Sequence, residues 1–109
     1  MSQFDVHRNT GQRRIAIPYV VIVQSSFYDA SRRRVVVPLV AADELARVVS
    51  LPVSPINPAF CIEGREAILN PLEIVSIPVE ALGERVASLA TQGDAIIAAL
   101  DELFSRAWN

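Results

Sequence analysis

Arg34-Val35-Val36-Val37-Pro38-Leu39-Val40 is the stretch on which the fold class turns. Its β-branched residues and leucine suit a pleated, half-buried strand. Pro38 sits inside it and constrains what lies beside that strand. Proline donates nothing to a ladder, so it belongs at an edge, a strand start or a bulge. The same conflict recurs at Pro18, within the Ile- and Val-rich residues 15–23, and at Pro78, within residues 74–79. Three such prolines in one short chain predict a small, strongly curved antiparallel sheet. A flat parallel sheet would also need more helices than this sequence offers.

Further elements follow on either side. Residues 25–33 are polar and long enough for a hairpin loop. Residues 60–62 and 66–69, joined at Gly64, predict a short hairpin, and residues 4–7 an N-terminal strand. Residues 42–49 predict one short helix, with Asp43 and Glu44 in its first turn, where the helix dipole favours anions. Residues 51–59 form a loop rich in proline (Pro52, Pro55, Pro58), and residues 83–89 predict a short helical turn. Gly93 then breaks the chain and Asp94 is placed to cap a C-terminal helix. Ile96, Ile97, Ala99, Leu100, Leu103, Phe104, Ala107 and Trp108 share one half of its wheel; Asp101, Glu102, Ser105 and Arg106 occupy the other. This pattern predicts core packing for Phe104 and Trp108. The competing reading makes Trp108 a binding anchor, because tryptophan is enriched at interface hot spots. The expected fold is mainly β with a short helix and a C-terminal α-helix (α+β), in a single domain over residues 1–109.

Composition narrows the function. The chain has 109 residues, 51% of them apolar and 20% charged, which excludes disorder driven by low hydrophobicity. All ten cations are arginine. Residues 1–34 carry a net +4 and the remainder −6, the charge split of a small domain that docks charged partners. A pI near 5.3 argues against a general nucleic-acid binder. Cys61 is the only cysteine, so no intramolecular disulfide can form, and its neighbours Phe60 and Ile62 suggest a small core hydrophobe. The charged first residues do not resemble a signal peptide. The longest uncharged runs, 15–28 and 48–62, contain proline and fall short of a membrane span. A cytoplasmic protein is expected, with some apolar surface covered by a partner subunit.

No catalytic, metal or cofactor constellation stands out. One histidine, His7, and one cysteine cannot start a metal cluster. The glycines are isolated and a phosphate loop would need a lysine. The sharpest polar feature is Arg32-Arg33-Arg34. It reads either as a solvated hairpin flank or as a docking site for acidic protein or phosphate, which arginine binds bidentately.

Several segments together resemble the CcdB toxin family. They are Gln3-Phe4-x-Val6, Gln24-Ser25 with Asp29, and Arg33-Arg34-Val35-Val36-Val37-Pro38-Leu39. Val75-x-Ile77-Pro78-Val79, Leu82-Gly83-Glu84-x-Val86-Ala87-x-Leu89 and Ile96-x-x-Ala99-Leu100-x-x-Leu103-Phe104 complete the series. Their order and spacing carry the likeness, which is weakest over residues 51–72. The resemblance implies a homodimeric toxin of a type II toxin–antitoxin module, with a barrel-like antiparallel sheet shared with the MazF and Kid ribonuclease toxins. It implies a non-enzymatic poison of DNA gyrase that wedges into the A subunit and traps the cleaved DNA complex. A CcdA-like antitoxin would neutralise it and, together with it, bind operator DNA.

The gyrase-facing residues implied are Phe27 and Tyr28, where the best-known family member has two isoleucines, and Asp101 and Phe104 on the helix. That member continues in Trp-Gly-Ile after the phenylalanine. Here Ser105 and Arg106 stand in the first two of those places, and Trp108 falls one helical turn beyond Phe104. Trp108 is expected to replace the missing tryptophan from this shifted position. Arg32, Arg33 and Arg34 are expected to dock the antitoxin or, with it, operator phosphates. The alternatives are a MazF-like ribonuclease, drawing on groups such as His7, Arg13, Arg14 and Asp29, or a homologue that has lost gyrase poisoning.

Overall fold

The computed structural model describes residues 1–43 and 54–105. Seven strands form one curled antiparallel sheet: β1 (Asp5–Asn9), β2 (Tyr19–Ile22), β3 (Arg33–Ala41), β4 (Ala59–Ile62), β5 (Arg65–Leu69), β6 (Val75–Pro78) and β7 (Leu82–Ser88). Their order is β4-β5-β3-β2-β1-β7, with β6 also on β3. A 13-residue helix, Gly93–Ser105, follows β7. The α+β class expected from the sequence is the class observed.

The stretch around Pro38 is the hub. Along one edge, β3 pairs with β2 from Val36 to Leu39. Its other edge is shared: β6 pairs with Arg33–Val36 and β5 with Leu39–Ala41. The Pro38 carbonyl accepts the Asn70 amide at 3.0 Å on this shared edge. In a strand the N and C=O of one residue point the same way, so the missing N–H falls at the handover between β6 and β5. Proline thus sits mid-strand without breaking a ladder bond. Pro18 precedes β2, and Pro78 ends β6.

The curl buries both faces of the central strands. Val6, Tyr19, Val21, Val37, Leu39 and Leu69 line the inner core with Ile96 and Ala99 of the helix. Val20, Ile22 and Val36 form a second cluster outside, flanked by Ile77 and Leu82. Each such aliphatic side chain contributes about 1.5–3 kcal/mol on full burial. Phe4 holds a left-handed φ of 69° and lays its ring where a Cβ on Gly93 would fall. That glycine permits the helix to start against the ring. The Tyr19 hydroxyl ties the β4–β5 hairpin to the core by donating to Glu63 Oε1 at 2.7 Å.

Five sequence expectations are corrected. Of residues 83–89, all but Leu89 are strand: β7 fills the open edge of β1, with irregular register between Val6 and Asn9. Those irregularities break the two-residue alternation, so Val86 and Leu89 look helically spaced. Gly93 is the first helical residue and Asp94 lies inside the first turn, so the expected break and cap are absent. Cys61 is exposed, because β4 alternates and turns Phe60 and Ile62 inward. Phe104 is 59% exposed, since the helix buries only the narrow stripe Gly93, Ile96 and Ala99. The strand expected over residues 15–23 is shorter, and Ile15 lies exposed in the preceding turn. Of the helix expected over 42–49, only Ala42 and Asp43 fall among the described residues, and both are helical. The rest of it, with Pro52, lies outside the described residues.

Candidate functional site

The loop between β2 and β3 is built to display two aromatic rings. Ser25 Oγ accepts the Phe27 amide at 3.2 Å and so caps a 3-10 turn, Ser26–Tyr28. The turn closes through Tyr28 N to Ser25 O at 3.0 Å and Asp29 N to Ser26 O at 3.1 Å. Phe27 is 85% exposed and Tyr28 60%. Their ring centroids lie 5.1 Å apart at an interplanar angle of 78°, an edge-to-face pair.

The loop is braced from behind. Gln24 Nε2 donates to the carbonyls of Tyr28 (3.1 Å) and Arg33 (3.3 Å), and its Oε1 accepts the Val35 amide at 3.1 Å. The N-terminal turn meets the loop from the other side: Gln3 N donates to Ser26 Oγ at 3.2 Å and Ser2 Oγ to Asp29 Oδ2 at 3.3 Å. Asp5 anchors that turn by accepting the Ser2 amide at 2.9 Å and pairing with Arg85 at 3.2 Å. Burial pushes the Asp5 carboxyl pKa upward, but the Ser2 amide, Arg85 and the terminal ammonium outweigh it, leaving it below its ordinary 3.8. A depressed carboxylate contributes stability that is complete above its ordinary value and is lost as pH falls through its folded value. The thermal midpoint of the wild type is therefore expected to fall more steeply below about pH 4 than that of Asp5→Asn. Parallel acid limbs in thermal melts would refute this.

The three arginines do different things. Arg32 is exposed and makes no ion pair among the described residues. Arg33 reaches across to β6, donating to Ser76 Oγ at 2.9 Å and Ser76 O at 2.7 Å. Arg34 is 5% exposed, so the expectation that it docks a partner is corrected: its guanidinium is spent on the protein itself. It donates to the carbonyls of Asp29 (2.8 Å), Ser31 (2.7 Å), Arg33 (2.9 Å) and Met1 (3.2 Å). No motif marks this bracing role of Arg34 and Gln24. Strand alternation could have found it, because Arg34 lies in phase with the buried Val36.

On the helix, Ile97, Asp101 and Phe104 are exposed at spacings of four and three, on one face away from the core. Ser105 is exposed at the helix end. Arg106 and Trp108 lie outside the described residues. The helix and the aromatic loop share one support, the N-terminal turn: Leu89 N, just before the helix, donates to Phe4 O at 2.8 Å, and Gly93 abuts the Phe4 ring.

Elsewhere, a shallow groove of about 360 Å³ has Val20, Val36, Pro38 and Ile77 in its apolar lining, and Arg13 and Glu73 on it pair at 3.1 Å. His7 is buried, with Nδ1 donating to Gly83 O at 2.9 Å. Among the described residues no group of three or more metal-ligating side chains converges, and no helix is long and apolar enough to cross a membrane.

Among curated proteins, none matches the chain. The family model described as CcdB protein matches residues 3–105, from the N-terminal turn to the last described residue of the helix. That span takes in the curled sheet, the aromatic loop and the exposed helix face together, and the chain therefore belongs to the CcdB family, toxins of toxin–antitoxin systems.

Proposed function

We propose that this toxin acts by binding, without catalysis, to the A subunit of DNA gyrase and trapping the enzyme on cleaved DNA. The supporting observation is the Phe27–Tyr28 pair, held in solvent on a turn whose hydrogen bonds fix it. Two large rings ordered before a partner arrives lose little entropy on binding, and aromatic anchors dominate interface energetics. Phe104, with Asp101 and Ser105, extends the surface on the helix, and Trp108 takes the part of the family's terminal tryptophan. The toxin works as a homodimer in the cytoplasm. Arg32 and Arg33 are the cations left to dock an acidic CcdA-like antitoxin, and operator DNA only in its company.

Purified protein incubated with gyrase and supercoiled plasmid, then treated with detergent and protease, is expected to yield linear DNA. An RNA substrate should stay intact in the parallel reaction. RNA cleavage without linear DNA would overturn the proposal in favour of a MazF-like ribonuclease. Neither product would mean that gyrase poisoning has been lost.

A further inference from the structure

We infer that Arg34 and Gln24 are positioning residues for the toxin's binding surface: together they form a latch beneath the Phe27–Tyr28 turn that fixes the rings in their binding geometry before any partner arrives. The inference rests on the aromatic turn being the contact surface, as proposed above.

The geometry separates this role from ordinary surface bonding. A loop that merely crosses between two strands has its carbonyls satisfied by water. Here five donor contacts converge on the backbone of residues 28–33. Arg34 supplies Asp29 O, Ser31 O and Arg33 O, and Gln24 supplies Tyr28 O and, a second time, Arg33 O. The fork of guanidinium donors is rigid and planar, so it holds three carbonyls in one fixed arrangement. Its remaining contact, to Met1 O at 3.2 Å, ties the N-terminal turn into the same junction. Asp29 Oδ1, buried and without a hydrogen bond, faces the guanidinium at 3.9 Å and supplies the counter-charge. None of these contacts touches the rings, which remain among the most exposed large apolar side chains of the described residues. The latch therefore acts on the backbone from which the rings project, and its effect on binding is indirect.

Lysine keeps the charge at position 34 but replaces a planar fork with a flexible point donor. Arg34→Lys is therefore expected to loosen the turn without removing the cation. Two measurements on the full-length chain test this. In amide hydrogen exchange, Tyr28, Asp29 and Ser31 should exchange at least about tenfold faster in Arg34→Lys, while Val21 and Val37 in the core keep their protection. In titrations against purified gyrase A subunit, Arg34→Lys should weaken binding about tenfold in the wild-type background. It should have no further effect once Phe27 and Tyr28 are both alanine. An equal loss in both backgrounds, or exchange accelerated throughout the core, would show general destabilisation and overturn the latch. If Arg34→Lys does not fold, Gln24→Ala carries the same two measurements. A wild-type chain that does not bind gyrase overturns the proposed function, and the exchange experiment then decides the latch alone.

Discussion

Replacing Phe27 and Tyr28 together by alanine is expected to weaken binding to the gyrase A subunit by about a hundredfold or more. Aromatic anchors at interface centres each cost about 2 kcal/mol or more on truncation, and about 1.4 kcal/mol is a factor of ten in affinity. The rings touch each other edge to face, so the two losses should not add fully. Stability should change by no more than about 0.5 kcal/mol, because neither residue belongs to a core cluster. Isothermal titration with the A subunit reads the first quantity and urea unfolding the second. Ile15→Ala is the control: that side chain is also exposed, but it stands on the turn before β2. An alanine pair that binds within about threefold of wild type would remove the aromatic turn from the interface.

The strands were legible wherever composition and alternation agreed. The run from Arg34 to Val40 is dense in β-branched residues, and it became the central strand with its proline at the one place where a missing donor does no harm. The hairpin at Gly64 was equally legible: Glu63 and Gly64 both take positive φ, as a two-residue turn demands. Periodicity failed where tertiary pairing overrode it. Residues 83–89 look helical because the irregular pairing with β1 shifts the phase of the strand. On the C-terminal helix the wheel gave an apolar half, but contact with the Phe4 ring and the sheet selects only its Gly93–Ile96–Ala99 edge, and Phe104 falls outside. The aromatic turn has no period at all, so only the family resemblance pointed to it. A run of three arginines reads as one charged patch, yet Arg34 is buried on the face of β3 it shares with Val36, Arg33 points the other way into solvent, and Arg32 lies exposed in the bend before the strand.

Gly83→Ala is expected to destabilise the protein by about 1–3 kcal/mol, the range for overpacking a close-packed site. A Cβ at this position would lie 2.6 Å from the Arg8 carbonyl oxygen, 3.0 Å from Thr10 Cγ2 and 3.1 Å from Arg8 Cβ. The nearest of these is backbone, which cannot swing aside as a side chain would. Retreat of β7 is also opposed, because the Gly83 carbonyl accepts the buried His7 Nδ1 at 2.9 Å. Moving it away would orphan a second polar atom of that imidazole, whose Nε2 already lacks a partner. For a chain of this size the loss corresponds to a drop in thermal midpoint of about 10 °C. The neighbouring Glu84→Ala serves as the control, since it removes only an exposed pairing with Arg8 and should change stability by no more than about 1 kcal/mol. The strain is local to the β1–β7 seam. Amides of β7 should therefore lose exchange protection in Gly83→Ala before those of β3. A melting curve superimposable on that of the wild type would mean that β1 and β7 separate here without cost, and close packing at the seam would then not be what holds a glycine at position 83.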